Sequence, residues 1–302
     1  MKNDYATELF KFTLDAEQCS SVAQYIRGIV NNEYATEVVK FLSEAEHGNA
    51  SAQYNLGVMC ATGKGLTQDY GQAARWFKLA AEQGYAKAQC NLGVMYDHEK
   101  GVVQDYSEAA RWYKLAAGQG NAKAQFNLGV MYRKGKGVVQ DFAEAAKWYQ
   151  LAAEQGHSKA QFKLGVMYEQ GKGVAQDNAE AVRRYKLAAE QGNVVAQSLL
   201  GVMYKYGYSV IQDYAEAIKW HKLAAEQGNV EAQLSLGFMY YLGEGEIQDY
   251  VRAHMWFNIS AANGEKTGSH NRDIVAARMT TEQITKAQQM ARKCQESNFK
   301  NY

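Results

Sequence analysis

The 302-residue sequence predicts an all-α solenoid of stacked antiparallel helix pairs. Three observations carry that prediction. A Gln-Asp pair recurs with its aspartate at Asp69, Asp105, Asp141, Asp177, Asp213 and Asp249, a constant step of 36 residues. Each step holds two stretches whose apolar residues fall at helical spacing, such as Ala88, Leu92 and Met95, then Ala109, Trp112 and Ala116. The chain contains no proline, which suits uninterrupted helices. Self-similarity at this length marks units that cannot bury a core alone, so each completes its neighbour's.

Taken in order, residues 1–48 form an N-terminal cap with a degenerate repeat at 15–48. There "AQYIRGIV" echoes "AQYNLGVM" of the first full copy, and Asn31-Asn32 replaces the glycine loop. Six full copies occupy residues 49–264, and residues 265–302 read as a closing helical pair that covers the end of the stack. Within each copy the aspartate is placed to cap the second helix. A glutamate three residues on (Glu108, Glu144, Glu180, Glu216) is positioned to complete a capping box. Glycines 84, 120, 156, 192, 228 and 264 end that helix, where a left-handed residue is needed. The glycine of "LG" (Gly57, Gly93, Gly129, Gly165, Gly201, Gly237) lies inside the first helix, where it costs roughly 1 kcal/mol against alanine. Close approach of the paired helix is expected to compensate, with a Trp or Tyr ring lying over the gap. Thr280 and Gln283 are placed to cap the last helix.

The pattern A-x-A-Q-x-x-L-G-x-M-Y-x-x-G-x-G-V-x-Q-D-Y-x-E-A-x-x-W-x-x-L-A-A-E-Q-G, beginning at Ala50, Ala86 and Ala122, resembles the Sel-like repeat, a relative of the tetratricopeptide repeat. The resemblance covers residues 49–264. It implies a tetratricopeptide-like right-handed α/α superhelix acting as a non-catalytic protein–protein adaptor or scaffold in bacterial signalling, complex assembly or host interaction. The cysteine-rich, disulfide-bonded branch of that family is not matched.

Composition narrows the classes further. No apolar run reaches the ~20 residues that span a bilayer, and the N-terminal residues lack a secretory signal's apolar core. A cytoplasmic protein is expected, with export by a specialised secretion system left open. Cys19, Cys60, Cys90 and Cys294 do not follow the period and read as reduced thiols. With a net charge of +1, and glutamates three residues before Arg111, Lys147, Arg183 and Lys219, the second helix reads as a self-neutralised solvated face. Nucleic acid is not an expected partner.

The search for chemistry finds none. The six histidines share no metal-ligand spacing and read as surface or capping residues, so neither a metal nor another cofactor is expected. The Gly-Lys-Gly segments at Lys64, Lys136 and Lys172 lack the Ser/Thr of a phosphate loop and read as chain turns. No enzyme is expected. The alternative class is a small-molecule-binding or catalytic repeat protein with a pocket in its groove, which would show converging polar groups in an enclosed cavity.

By analogy with tetratricopeptide repeats, the first helix of each copy lines the concave face. Copies share the residues that hold the stack, so specificity is expected where they differ. The candidate partner-binding residues are Tyr54, Lys123, Phe126, Arg133, Lys134, Lys159, Phe162, Glu169, Lys205, Tyr206, Leu234, Phe238 and Tyr241. An apolar floor edged by Lys123, Arg133, Lys134 and Lys159 suits a polypeptide segment with apolar anchors and acidic flanks. Phe126 and Phe162, at equal positions in adjacent copies, are expected one repeat apart on one surface. A monomer is expected. Residues 177–210 are expected to be locally weak, because Arg184 stands in the tryptophan position, Asn178 in an aromatic one and Ser209 in a loop-glycine one.

Overall fold

The structure, a computed structural model, describes residues 34–297. Most of the degenerate repeat expected at residues 15–48 therefore lies outside the described residues. The chain divides into two compact units, residues 1–155 and 156–302. Among the described residues the first unit holds α1 (Ala35–Glu46), α2 (Ala50–Thr62), α3 (Tyr70–Glu82), α4 (Ala86–Asp97), α5 (Tyr106–Gly118), α6 (Ala122–Lys134) and α7 (Phe142–Glu154). The second holds α8 (Ser158–Gln170), α9 (Asn178–Glu190), α10 (Val194–Tyr206), α11 (Tyr214–Glu226), α12 (Val230–Leu242), α13 (Tyr250–Ala262), α14 (Lys266–Ala276) and α15 (Thr281–Glu296). No strand occurs among the described residues. Within each unit the helices as far as α14 pack on their neighbours in sequence, and α15 returns onto α13. Both units are thus all-α stacks of helix pairs.

The Gln-Asp motif is explained by the two helix ends it joins. Gln140 Nε2 donates to the Arg133 carbonyl at 2.9 Å, closing the C-terminal end of α6. Asp141 then accepts from the amides of Ala143 and Glu144, capping α7. The same pair of roles recurs at Gln104/Asp105, Gln176/Asp177 and Gln212/Asp213. One dipeptide therefore satisfies orphan groups at two helix termini.

The glutamates do not complete the expected capping boxes. Glu108, Glu144, Glu180 and Glu216 turn forward along the helix instead, pairing with Arg111, Lys147, Arg183 and Lys219 at 2.8, 3.3, 2.6 and 2.9 Å. An ion pair satisfies the carboxylate better than a single amide, and the aspartate already serves the N-terminus. Thr280 and Gln283 do form the reciprocal box at the start of α15.

The glycine inside each first helix is where the second helix makes contact. A Cβ on Gly129 would lie 2.8 Å from two ring carbons of Tyr149, and one on Gly93 would lie 2.7 Å from Tyr113. Of the two rings expected, tyrosine covers the glycine at Gly93, Gly129 and Gly165, and tryptophan never does; the covering residue is the one after the tryptophan position. Tryptophan instead joins neighbouring repeats: Trp148 packs on the cluster built from Ala109, Tyr113, Ala124 and Leu128, and Trp220 on the one built from Tyr185 and Leu200.

A second tie between repeats is polar. Buried Gln125 donates to the Ala117 carbonyl of the preceding repeat and accepts from Gln155 at 2.7 Å. Gln89, Gln197 and Gln233 repeat the arrangement, with Asn263 replacing the last donor. Each buried amide is therefore hydrogen-bonded, as burial demands.

Two histidines overturn the surface reading. His221 is fully buried over Gly201, in the place where other copies put Phe or Tyr, and His254 is buried in α13. His47 stays exposed, and His157 caps α8 by accepting from the Ala160 amide.

Candidate polypeptide-binding site

The first helix of each repeat buries one face and leaves a stripe toward solvent. On α6 that stripe runs Lys123, Phe126, Asn127, Val130, Arg133 and Lys134, spaced at one and two helical turns. Lys123 and Lys134 are exposed, whereas Phe126, Val130 and Arg133 are half-buried. Phe126 rests one face against the buried Tyr149 ring, 5.7 Å between centroids. The Arg133 side chain lies near the Tyr149 hydroxyl without a hydrogen bond to it, and burial raises that phenol's pKa.

The stripe continues across the first unit. Tyr54 on α2 lies 5.8 Å from Phe77 and 5.2 Å from Tyr85, and its hydroxyl meets the Asn91 side chain on α4. Cys90 on α4 in turn feels the Lys123 charge from α6, although burial raises its pKa further, to about 11. Tyr54, Asn91, Lys123 and Phe126 are thus successive members of one surface.

Its electrostatics differ from those of the second helices. Lys87, Lys123 and Lys134 take part in no ion pair among the described residues. The cations of α5, α7, α9 and α11 that follow the capping glutamates are all paired. On α2, α4 and α6 the only acid is Asp97, facing Lys87, Lys123, Arg133 and Lys134. This face therefore has uncompensated positive charge.

In the second unit the candidate residues have more varied surroundings. Lys159 is exposed, and Phe162 packs tilted against Tyr185, 5.6 Å between centroids, with the Lys163 ammonium 5.3 Å from its ring. Glu169 accepts the Tyr185 hydroxyl at 2.9 Å. Leu234 packs on the core, Phe238 meets Phe257 edge to face at 5.1 Å, and Tyr241 lies 5.8 Å from Tyr250 beneath the Arg278 guanidinium. Lys205 is no free cation. It is buried and bound to Glu244 at 2.9 Å, because the adjoining loop brings a carboxylate to it. Tyr206 is exposed and stacks on Tyr208.

Chemistry of other kinds has little support in the geometry. No group of three or more His, Cys, Asp or Glu side chains converges among the described residues. Cys60, Cys90 and Cys294 are buried free thiols, each raised to about 11 chiefly by burial, so their reactive thiolate forms are disfavoured. Two hollows in the second unit, one lined by Ile218, Lys222 and Glu246 and the other by Tyr250, Arg252 and Gln283, lie off the stripe of candidate residues. No described helix is long and apolar enough to cross a membrane.

A stack of helix pairs held by an LG glycine under a ring, a Gln-Asp hinge and a buried glutamine ladder defines an α/α repeat protein. The Sel1 repeat profile matches residues 50–85, 86–121, 122–157, 158–193, 194–229 and 230–265, and the chain belongs to the Sel1 repeat family, whose members are generally non-catalytic protein-interaction scaffolds. It is similar in structure to a protective antigen present in uropathogenic Escherichia coli strains, with 40% identity and a TM-score of 0.78 over 87% of this chain. The chain spans 56% of that antigen's length. A Sel1 repeat protein from Oxalobacter formigenes is 36% identical with a TM-score of 0.65, over 71% of this chain and 88% of that one. No curated protein matches the chain.

Proposed function

We propose that the chain is a non-catalytic adaptor that binds a polypeptide segment along the solvent-facing stripe of its first helices. This stripe is the helix face that the repeat pattern leads one to expect along a groove. The observation that carries this reading is the contrast in charge. Lys87, Lys123 and Lys134 stand without an ion pair on the face that carries the rings of Tyr54 and Phe126, while Arg111 and Lys147 of the second helices are neutralised in place. Half-buried aromatics next to free cations match a segment with apolar anchors and acidic flanks. The 40% identical antigen supports the host-interaction branch of the adaptor reading over the others.

The test is a peptide array carrying aliphatic and aromatic anchors flanked by acidic, neutral or basic residues. Preferential capture of the acidic-flanked set is expected. Lys123→Glu with Lys134→Glu should abolish that preference while the melting temperature stays within about 2 °C, since both side chains are exposed. Phe126→Ala should weaken capture of every anchored peptide. Leu128→Ala, which empties a fully buried position, should lower stability by about 2–5 kcal/mol and serves as the unfolding control. Equal capture of acidic and basic sets would refute the reading.

A further inference from the structure

In the first unit, the loop lysine between helix pairs has a structural task. Lys64, Lys100 and Lys136 lie over the rings of Tyr34, Tyr70 and Tyr106, thirty residues earlier, at 5.0, 5.7 and 4.5 Å. Each such pairing fastens a loop to the preceding repeat. Repeat five has lost both halves of this staple, with Tyr208 in the lysine position and Asn178 in the ring position. Tyr208 turns to solvent instead and stacks on Tyr206, 5.5 Å between centroids and 28° between planes.

The two rings join aliphatic side chains on this edge. Tyr206, Tyr208, Ile211, Leu242 and Ile247 are 55%, 59%, 91%, 56% and 91% exposed. They occupy the equivalent loops of two adjacent repeats, and the Lys205–Glu244 pair at 2.9 Å draws those loops together. Side chains of this size at these exposures present on the order of 700 Å², near the ~800 Å² per partner of a standard interface. Isolated exposed aliphatics need no explanation, but a contiguous set on this scale does.

We propose that this loop edge of repeats five and six is a self-association surface through which two copies of the chain meet. A two-fold contact sets a patch against itself, so it tolerates little net charge. The local charges cancel here: Lys205 with Glu244, Glu246 with Lys222 and Arg252 at 3.6 and 2.8 Å, and Arg252 also with Asp249 at 3.7 Å. The equivalent edge in the first unit carries Lys100, Lys134 and Lys136 and would repel its own copy. A charged partner has no counter-ion on the neutral edge, whereas a second copy offers an identical apolar surface. This proposal departs from the monomer expected from the sequence.

The experiment is sedimentation equilibrium of the full chain over about 1–200 µM, a range suited to an interface of this area. A reversible monomer–dimer equilibrium is expected. Tyr206→Lys with Tyr208→Lys installs the residues repeat three carries as Lys134 and Lys136, so the loop has a precedent within the chain. That variant should dimerise at least tenfold more weakly at an unchanged helical content. Ile211→Asp, at a side chain with no structural burial, should do the same and guards against misfolding of the double variant. Val139→Asp on the first unit's edge should leave the dimer constant unchanged. A parent that stays monomeric throughout, or variants that dimerise as strongly as the parent, overturns the proposal.

Discussion

The hydroxyl of Tyr185 donates to Glu169 Oε2 at 2.9 Å, although the Tyr185 ring is fully buried over Gly165. The pair belongs to a column sixteen residues apart in every repeat. Tyr113 faces Asp97, Tyr149 faces Arg133 and His221 faces Lys205. Where the covering ring is Phe77 or Phe257, with no polar atom, the matching positions are the uncharged Ala61 and Tyr241. Variation in the stripe residues is therefore partly dictated by what lies beneath them. At Tyr185 the stripe residue supplies the partner that a buried hydroxyl needs, whereas the buried hydroxyls of Tyr113 and Tyr149 face their stripe residues without a hydrogen bond.

That coupling is measurable. Glu169→Gln, Tyr185→Phe and the double variant, compared by urea denaturation, should show an interaction of about 1 kcal/mol. Independent, additive losses would mean that the hydroxyl and carboxylate do not depend on each other.

The two kinds of glycine should respond oppositely to alanine. At Gly129 the added methyl meets the Tyr149 ring at 2.8 Å, and the ring is locked in the core. A loss of about 1–3 kcal/mol is expected from overpacking. Gly118, in the last turn of α5, has nothing within 4 Å, and the other repeats place glutamate or alanine there. Gly118→Ala should gain about 0.5–1 kcal/mol through helix propensity and the loss of unfolded-state freedom. Similar midpoint shifts for the two variants would contradict the packing account.

The period exposed the fold because the constraints that make it are local and repeated. Capping aspartates, terminal glycines and the LG glycine each need one residue type at one place, and six copies display it. Two roles stayed hidden. Nothing in "AQ" or "EQG" alone says that Gln125 and Gln155 meet across thirty residues, although their constant separation was a usable signal. The stripe residues were harder to read, since their surroundings depend on neighbouring repeats. Lys205 looked like a free cation until the loop holding Glu244 was placed beside it. His221 likewise followed the Phe and Tyr column, a signal that outweighs the usual surface preference of histidine.

Repeats four and five should open more readily than repeats two and three. Arg184 fills the tryptophan position, buried and held by Glu180, and a paired guanidinium gives less apolar burial than an indole. Ser209 adopts a left-handed φ of 59° where other loops have glycine, and the lysine-on-tyrosine staple is missing. Amide exchange in residues 177–210 should be at least several-fold faster than in α4 to α7. Uniform protection in the two segments would show that the Arg184–Glu180 pair fully replaces the indole.

Stability should acquire a specific pH dependence from His221. Burial, with a smaller contribution from the nearby Lys205 charge, pushes its pKa down from the ordinary 6.5 to about 4. Between those values the unfolded chain binds a proton that the folded chain refuses, so stability falls as pH falls through this window. Above pH 6.5 both states hold the neutral ring and the effect vanishes. The loss reaches at most about 3 kcal/mol near pH 4. Acid also protonates carboxylates, so the parent's profile alone is ambiguous. His221→Phe resolves this, because Phe77 and Phe257 show that the site over the LG glycine accepts that ring. Variant and parent retain the same carboxylates, and their difference isolates the imidazole. The stability gap between them, from denaturation at half-unit steps, should be constant from pH 8 to 6.5 and then widen toward pH 4 in favour of phenylalanine. Parallel profiles across the whole range would mean that His221 takes up its proton in the folded state as easily as in the unfolded one, and the buried neutral ring would have to be abandoned.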